Sequence, residues 1–452
     1  MKNKILVVPG NTDLNRGDQA LVWESIRLFE DIYPQLEVYL YESGANQKEK
    51  DLQKAQTQSR GYNFITRILL HPRVKANTNN NKSKEVNYSR LTYIKWGFVA
   101  IFDLFNTLLL ISQFGFLNKI GRSSLTEEQK KSLDLFPSLK VLVVKGGGFL
   151  HSYGKIQDPY VMYYFLFDLM LAHRYNVKTV VLPNSIGPLK NGFAKYLVKR
   201  VLKKSSFVSA REDVSFKFIQ EDLNIKTYKY PDLGFFLKAS KFNSIAYLAE
   251  KGVNFQEKNI LLTLRPYRFD GFKDPERLYQ NYLDEIGQLV KNQVNRGYKF
   301  TFMAHTLGPS NHENDTLALL EVLNLLDEKT KESITYIEDY ALNAQDIQSI
   351  YAHYDILIGT RFHSVIFALN EKTPCVAIAY GGNKSFGIMQ DMNLDNFVIG
   401  IDKVDAKSIS EMIQRIEIDK SDYIEKVSKY HSFLEQERKS LLKDLKKVLN
   451  EG

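Results

Sequence analysis

Arg361 and His363 lie in the stretch Gly359–Ser364 (GTRFHS), between the apolar runs 354–359 (YDILIG) and 365–370 (VIFALN). In a doubly wound sheet the strands end where helix N-termini and unpaired backbone N–H groups meet, and ligands bind there. If the backbone is extended here, both side chains point to the same face. The guanidinium would hold an anion, and the imidazole would donate or accept a proton. The stretch predicts an anion-binding catalytic site.

Three further groups follow predicted strands: His151, after the glycines 146–148, Arg211 and Arg265. Arginine pairs bidentately with carboxylate or phosphate, so their clustering with Arg361 indicates a bound anion. The alternative for each arginine is an ion pair that closes a strand end. Asp18 falls at the start of the first predicted helix, where it caps the helix or orients and deprotonates a hydroxyl.

Other cofactor chemistry finds little support in the sequence. The glycines of Lys145–Phe149 form neither a GxGxxG pattern nor a Walker loop, so nucleotide binding has no motif. His305 and His312 flank a Gly-Pro turn without a third ligand at metal-site spacing, and no metal is assigned. The single cysteine, Cys375, excludes an intrachain disulfide and is predicted to lie in a buried strand.

Length and charge narrow the class of protein. A chain of 452 residues is too long for one hydrophobic core, and its net charge of +9 favours acidic partners. Zinc-finger, RNA-recognition and KH signatures are missing, so an anionic metabolite or anionic lipid is favoured over nucleic acid. The N-terminal apolar run of four residues, ILVV, is too short for a secretory signal, and a cytoplasmic protein is expected.

Apolar runs alternate with helical patterns, which is typical of α/β units with parallel sheets. Two such halves are predicted: residues 1–237, with an elaboration at about 45–138, and residues 258–452, which end in a long helix. Together they imply a cleft. The glycine run 146–155 and residues 184–189 are interpreted as loop and turn. Strands are predicted at 3–9, 36–42, 139–145, 177–183, 206–211, 259–265, 299–305, 334–338 and 354–359.

The most apolar segment is 96–117. A helix that crosses a bilayer is disfavoured because four polar residues interrupt the run: Asp103, Asn106, Ser112 and Gln113. A buried core helix is one interpretation. The other is a helix on an anionic membrane surface, with residues 62–122 as the docking region, because basic residues flank the run: Arg90, Lys95, Lys119 and Arg122.

Several motifs together carry a family resemblance. They are Asn15–Leu21 (NRGDQAL), GGGFL before His151, SIGPL at 185–189, SARED at 209–213, GTRFHSVIFAL at 359–369 and PCVAIAYGGNKS at 374–385. In this combination and order the chain resembles the polysaccharide pyruvyl transferase family over about residues 5–395. The Arg-x-His block is the most specific part, and the region 45–138 is not explained by the resemblance.

The resemblance implies transfer of pyruvate from phosphoenolpyruvate to two hydroxyls of one sugar, with formation of a cyclic ketal and release of phosphate. It implies a GT-B-type fold, in which two Rossmann-like domains face each other across a cleft. The donor is a substrate, and no cofactor is expected. The expected acceptor is a lipid-linked precursor of a surface or capsular polysaccharide, which places the protein in the cytoplasm, at the inner membrane face.

The resemblance also suggests roles for single residues. Arg211 and Arg361 match positions that hold phosphoenolpyruvate, and His363 matches the histidine that protonates its methylene carbon. Further candidates for the donor site are Arg265, Lys384 and Phe362, the last standing where family members often carry leucine. Asp18 and His151 are the candidates for the base that activates the acceptor.

Two other functions fit the same sequence. A GT-B glycosyltransferase would use a nucleotide sugar, with Glu338 or Asp339 on the ribose, although the Arg361–His363 block suits a small dianion better. A non-catalytic assembly protein would use the segment 96–117 to sit on a membrane. The charged residues of the family motifs favour an enzyme over an assembly protein.

Overall fold

The computed structural model describes residues 3–44, 46–72, 90–380 and 384–450. Its strands form two sheets in which every strand pairs in parallel. The strands lie where the apolar runs predicted them, because a strand covered on both faces needs a nearly continuous apolar sequence. The predicted α/β class is confirmed.

The chain divides into two compact units. The first contains residues 1–13, 21–233 and 437–452, and the second contains residues 14–20 and 234–436. The two units are therefore not two consecutive halves of the chain. The segment 14–20 belongs to the second unit, and the end of the C-terminal helix belongs to the first.

The first unit holds an eight-stranded sheet in the order β3-β2-β1-β4-β6-β7-β8, with β5 beside β6. The strands are β1 (Asn3–Val8), β2 (Leu36–Tyr41), β3 (Asn63–Ile65), β4 (Val141–Val144), β5 (Gly147–Ser152), β6 (Lys178–Leu189), β7 (Phe207–Ala210) and β8 (Tyr228–Lys229).

The second unit holds a six-stranded sheet in the order β11-β10-β9-β12-β13-β14. Its strands are β9 (Lys258–Thr263), β10 (Tyr298–Met303), β11 (Ile334–Ile337), β12 (Ile356–Gly359), β13 (Cys375–Ala379) and β14 (Val398–Gly400). Numbered within the unit, this is the order 3-2-1-4-5-6 of a Rossmann fold. The order reverses between β9 and β12, and ligands of such sheets bind at the carboxyl ends of the strands at that point.

Helices connect successive strands in both units, and two further helices follow the last strand, β14. The helices of the described residues are Arg16–Glu30, Gln47–Gln58, Arg90–Ile111, Gly115–Ser123, Glu127–Leu135, Asp158–Arg174, Gly192–Leu202, Asp213–Lys217, Ser244–Glu250, Pro275–Asn295, Asp315–Asn324, Glu328–Lys331, Ala344–Tyr351, Phe362–Asn370, Lys384–Asp391, Ala406–Ile418 and Lys420–Asn450.

Two loop predictions were wrong. The glycine run contains strand β5, and the predicted turn 184–189 is the continuation of β6. The pairing of β5 with β6 shifts register twice, between Gly147 and Leu150 and again before Ser152. Such irregular pairing hides the period-two alternation by which a strand is recognised in a sequence.

The segment 14–20, which includes the first turn of helix Arg16–Glu30, belongs to the second unit through backbone and side-chain bonds. The amide of Leu307 donates to the carbonyl of Leu14 at 2.8 Å, and the amide of Ala344 donates to Oε1 of Gln19 at 2.7 Å. These bonds bring Asp18 into the unit that contains Arg361, although more than three hundred residues separate them in the sequence.

The long C-terminal helix ends in the first unit. The ammonium of Lys178 donates to the carbonyl of Leu449 at 2.8 Å, and the hydroxyl of Tyr230 donates to Asp444 at 2.6 Å. The bond from Lys178 satisfies a carbonyl of the last turn, which has no partner within the helix.

The apolar segment predicted at 96–117 is two helices, Arg90–Ile111 and Gly115–Ser123. Among the described residues, the first is the one helix long and apolar enough to cross a membrane by length and composition, and 17% of its most apolar window is buried. The interpretation as a buried core helix was therefore wrong.

Candidate functional site

The ends of strands β9 and β12 meet at the point where the strand order of the second unit reverses. The amide of Thr360 donates to the carbonyl of Thr263 at 3.0 Å, and the hydroxyls of Thr263 and Ser364 lie 2.8 Å apart. A Cβ on Gly359 would lie 2.8 Å from Oγ of Ser364, so only glycine fits this turn. These contacts fix the start of helix Phe362–Asn370 against the end of β9.

Arg361 is the N-cap residue of this helix, and its guanidinium is buried. Its Nε donates to Oδ1 of Asp315 at 2.7 Å, and its Nη2 donates to the carbonyl of Glu313 at 2.7 Å. Asp315 is fully buried and accepts, through Oδ2, the amide of Thr306 at 2.8 Å. The ion pair therefore locks the guanidinium in one orientation.

His363 lies in the first turn of the same helix and is half-buried. The extended backbone under which Arg361 and His363 would point to the same face is not present over 361–363, because the helix begins at Phe362. A Cβ on Gly17 would overlap Nδ1 of His363, so the first turn of helix Arg16–Glu30 packs directly on the imidazole. The missing side chain of Gly17 is what admits the ring.

Asp18 lies in the first turn of helix Arg16–Glu30, one residue beyond Gly17. The cap of this helix is Asn15, whose Oδ1 accepts the amide of Asp18 at 3.2 Å. The capping role considered for Asp18 therefore belongs to Asn15. The carboxylate of Asp18 is close enough to Glu313 to raise the pKa of that carboxyl.

Arg265 follows β9 and stacks on aromatic rings. Its guanidinium carbon lies 4.1 Å from the ring centre of Tyr380 and 5.6 Å from that of Tyr267. Its Nε is buried and has no hydrogen-bond partner among the described residues. A buried donor of this kind is usually satisfied by a water or a ligand. Arg265 and Arg361 follow neighbouring strands on either side of the point of reversal.

Sequence reasoning did not name Glu313, and it considered His305 only as a metal ligand. Oε2 of Glu313 accepts the hydroxyl of Ser310 at 3.0 Å. Burial raises the pKa of the Glu313 carboxyl, with a further rise from Asp18, while Arg361 and Arg265 oppose it. The sequence clue to Glu313 was its position in the stretch 312–316 (HENDT). This stretch follows a predicted turn, and Glu313 lies two residues before Asp315, the partner of Arg361.

His305 follows strand β10 and is buried. Its Nδ1 lies 3.0 Å from the hydroxyl of Tyr351. Burial lowers the pKa of His305 well below its ordinary value, and the charges of His363 and Arg361 add to this effect. Burial therefore favours the neutral form of the His305 imidazole.

Arg211 and His151 belong to the first unit. Arg211 forms an ion pair with Asp232, and its Nε donates to the hydroxyl of Ser185 at 2.8 Å. The structure therefore contains the ion pair that the sequence left open as an alternative role. Nδ1 of His151 lies 3.1 Å from the carbonyl of Gly148, next to the ring of Tyr153. The substrate-binding and catalytic roles of both residues stay predictions.

The two remaining predicted residues, Phe362 and Lys384, are each the first residue of a helix. Phe362 is half-buried, and its ring centre lies 5.3 Å from that of His363, edge to face. Lys384 begins helix Lys384–Asp391, and its side chain lies outside the described part of the chain. The described residues contain no group of three or more His, Cys, Asp or Glu that could hold a metal ion.

Solved structures share this fold at low sequence identity. HepE of Anabaena, solved in complex with UDP and glucose, is 11% identical with a TM-score of 0.56, and the match covers all of both chains. Sucrose-phosphate synthase of Thermosynechococcus elongatus is 12% identical with a TM-score of 0.56 over the same full coverage. These likenesses show the fold, two Rossmann-like domains of the GT-B type, as the resemblance implied.

Sequence comparisons give the family. Residues 15–382 match the family described as polysaccharide pyruvyl transferase, and the chain belongs to it. AmsJ, an amylovoran biosynthesis protein of Erwinia amylovora, is 25% identical over 261 residues. That match covers 56% of this chain and 59% of AmsJ. A role in polysaccharide modification is therefore supported.

The contact between Gly17 and His363 gives a first test. We expect Gly17→Ala to lower the free energy of unfolding by about 1–3 kcal/mol, because the new methyl group overlaps the imidazole. Gly192 also lies in the first turn of a helix but has open space around it, so Gly192→Ala is the matched control. Urea unfolding measures both. Equal stability of the two variants would contradict the packing described here.

His305 predicts a pH dependence of stability. Its pKa is lowered in the folded state, so its contribution is present above the ordinary pKa of 6.5 and is lost as the pH falls below it. We expect wild type to lose up to about 1.4 kcal/mol more per pH unit than His305→Asn in that window. Unfolding free energies of both proteins, measured on either side of pH 6.5, check this. Parallel pH profiles would show that the pKa of His305 is the same in the folded and unfolded states, and would contradict the effect of burial described here.

Proposed function

We propose that this protein transfers pyruvate from phosphoenolpyruvate to two hydroxyls of one sugar in a polysaccharide precursor, forming a cyclic ketal and releasing phosphate. The observation that carries the proposal is the placement of Arg265 and Arg361 after two neighbouring strands, with His363 in the first helical turn that follows. Family membership supports the same reaction class.

Phosphoenolpyruvate carries a carboxylate and a phosphate, so its site needs several cations or oriented N–H donors. Arg265 offers a buried Nε without a described partner. Arg361 contributes positive charge and has further donors on Nη1, beyond those used by Asp315 and Glu313. The N-terminus of helix Phe362–Asn370 adds the positive end of the helix dipole. Held in place before the reaction, these groups stabilise charge without reorganising.

His363 would act as the general acid. Its proton goes to the methylene carbon of phosphoenolpyruvate, which becomes the methyl group, and C2 becomes electron-poor. One sugar hydroxyl adds to C2 and loses its proton to a base. The C2–O bond to phosphate then breaks, phosphate leaves with the bonding electrons, and the second hydroxyl adds to C2 and loses its proton. The products are a cyclic ketal and inorganic phosphate.

The bases would be carboxylates of the same unit, Asp18 and Glu313. A general base works best when its pKa is near the operating pH, and the raised pKa of Glu313 moves that group in this direction. Asp18 lies beside Gly17, which contacts the imidazole of His363. His151 remains a further candidate from the first unit.

The acceptor is proposed to be a lipid-linked saccharide at the cytoplasmic face of a membrane. The amylovoran biosynthesis protein AmsJ supports a sugar polymer as the end product. The net charge of +9 and the exposed apolar side chains of helix Arg90–Ile111 support a membrane surface as the place where the acceptor is met.

The reaction is tested by phosphate release from phosphoenolpyruvate with a panel of saccharide acceptors. We expect acceptor-dependent release that falls by about 10²–10⁴-fold in His363→Asn. Arg265→Met, which keeps the aliphatic stem, should mainly raise KM for phosphoenolpyruvate. Arg361→Lys is preferable to Arg361→Ala, since alanine would leave Asp315 buried without its cation at a cost of about 3–5 kcal/mol.

Lys420→Met, a substitution of an exposed lysine in the C-terminal helix, is the control and should release phosphate at the wild-type rate. Release without any acceptor dependence, or equal rates in wild type and His363→Asn, would contradict the proposal. Absence of release together with thermal stabilisation by a nucleotide sugar would favour a glycosyltransferase instead.

Glu313 gives a separate prediction about pH. If it is the base, kcat/KM falls as the pH drops through its raised pKa, because the protonated carboxyl cannot accept the hydroxyl proton. We expect Glu313→Gln to lower kcat by about 10²–10⁴-fold and to remove this acidic limb. Glu328→Gln, at an exposed position, is the control. An unchanged pH profile in Glu313→Gln would exclude Glu313 as the base and leave Asp18 and His151 as the candidates.

A further inference from the structure

Helix Arg90–Ile111 exposes its apolar side chains. Phe98 is 72% exposed and Phe105 is 61% exposed. The exposed apolar residues recur at intervals of three and four, so they share one side of the helix. We call them the apolar face: Leu91, Ile94, Phe98, Ile101, Phe102, Phe105 and Leu108.

The side of the same helix that packs on the protein includes polar groups. Asp103 is only 6% exposed, and Thr107 is buried beside it. The hydroxyl of Tyr163 donates to Oγ1 of Thr107 at 2.8 Å, which joins this side to helix Asp158–Arg174. A helix on the surface of a water-soluble protein has the opposite arrangement, with apolar groups inside and polar groups outside. The inversion indicates an apolar medium on the exposed side.

The next helix, Gly115–Ser123, continues this surface. Nδ2 of Asn118 donates to the carbonyls of Leu109 at 2.7 Å and Ser112 at 3.0 Å, which closes the end of the preceding helix. A Cβ on Gly121 would lie 3.0 Å from the carbonyl of Asn106, so the two helices pack closely. This helix and the residue before it add three exposed apolar side chains: Phe114, Phe116 and Ile120.

The charges of this hairpin favour an anionic lipid surface as the partner. Residues 90–123 contain one acidic residue, Asp103, which faces the protein. The same segment carries four basic residues, and three of them are exposed: Arg90, Lys95 and Lys119. Exposed aromatic and aliphatic side chains edged by lysine and arginine are typical of helices that lie in the interface of anionic membranes.

We propose that the hairpin 90–123 inserts its apolar face into one leaflet of an anionic membrane and lies along the interface without crossing the bilayer. A length of 22 residues would suffice to span it. The buried contacts of Asp103, Thr107 and Leu110 instead hold the helix along the protein surface. The proposal that this hairpin binds a membrane does not depend on the proposed reaction. The identity of the lipid-linked acceptor does rest on the proposed function.

Flotation of the full chain with phosphatidylcholine vesicles, with and without phosphatidylglycerol, tests the proposal. We expect binding to the anionic vesicles that weakens as salt is added. The double variant Phe98→Glu/Phe105→Glu should bind about tenfold less or weaker still, because both charges would enter the apolar layer. Ile156→Glu/Ile418→Glu changes two exposed residues outside the hairpin and should bind as wild type does.

Absence of flotation, or equal flotation of wild type and the Phe98/Phe105 variant, would overturn the proposal. A wild-type dimer in sedimentation that the same variant dissociates, without lipid binding, would overturn it in favour of a second copy of the chain. Phosphate release with a water-soluble acceptor is measured in parallel without vesicles, so a failure of the membrane proposal is distinguishable from a failure of the proposed reaction.

The depth of insertion distinguishes a helix that lies in the membrane interface from a helix that crosses the bilayer. The native Cys375 is buried, and burial raises the pKa of its thiol to about 12, so a cysteine introduced by Phe98→Cys or Phe105→Cys is labelled selectively. Both fluorescent labels should be quenched most strongly by lipids that carry the quencher near the headgroup. Strongest quenching at the centre of the bilayer for either position would show a crossing helix and overturn the interfacial arrangement.

Discussion

The buried ion pair of Arg361 and Asp315 is the constraint on which the candidate site depends. It joins the cap of helix Phe362–Asn370 to the first residue of helix Asp315–Asn324. The other oxygen of Asp315 holds the backbone that follows β10. A buried pair of this kind adds little net stability compared with apolar side chains, but the loss of one partner is costly. Its effect is to hold three segments, and the charge of Arg361, in one arrangement.

Around this pair, ionisable groups of opposite character occupy one end of the second sheet. His305 is held neutral by burial, while Glu313 is made a weaker acid by burial and by Asp18. The raised pKa of Glu313 moves that carboxyl towards the range suited to a general base near neutral pH. The main physical cause is the same for both groups, because burial removes each of them from water.

The class of fold followed from the sequence because buried parallel strands have nearly continuous apolar sequences, as in β4 and β12. Arg361 and His363 were recognisable because they follow such a strand directly. Strand β5 was missed because its pairing is irregular. The exposure of helix Arg90–Ile111 was missed because an apolar sequence looks the same whether it faces a protein core or a lipid. Glu313 and the contact of Gly17 with His363 depend on residues far apart in the chain, which local patterns cannot reveal.

The segment 14–20 also bears on how this chain can be divided. It follows β1 of the first unit in sequence, yet it belongs to the second unit by its contacts. A fragment cut at residue 234 would contain Arg265, Glu313, Arg361 and His363 but would lack Asp18 and the glycine that packs on the imidazole. Neither half of the gene therefore encodes a complete set of the groups gathered in the second unit. Recombination that exchanged the C-terminal half alone would have to preserve seven residues near the opposite end of the sequence.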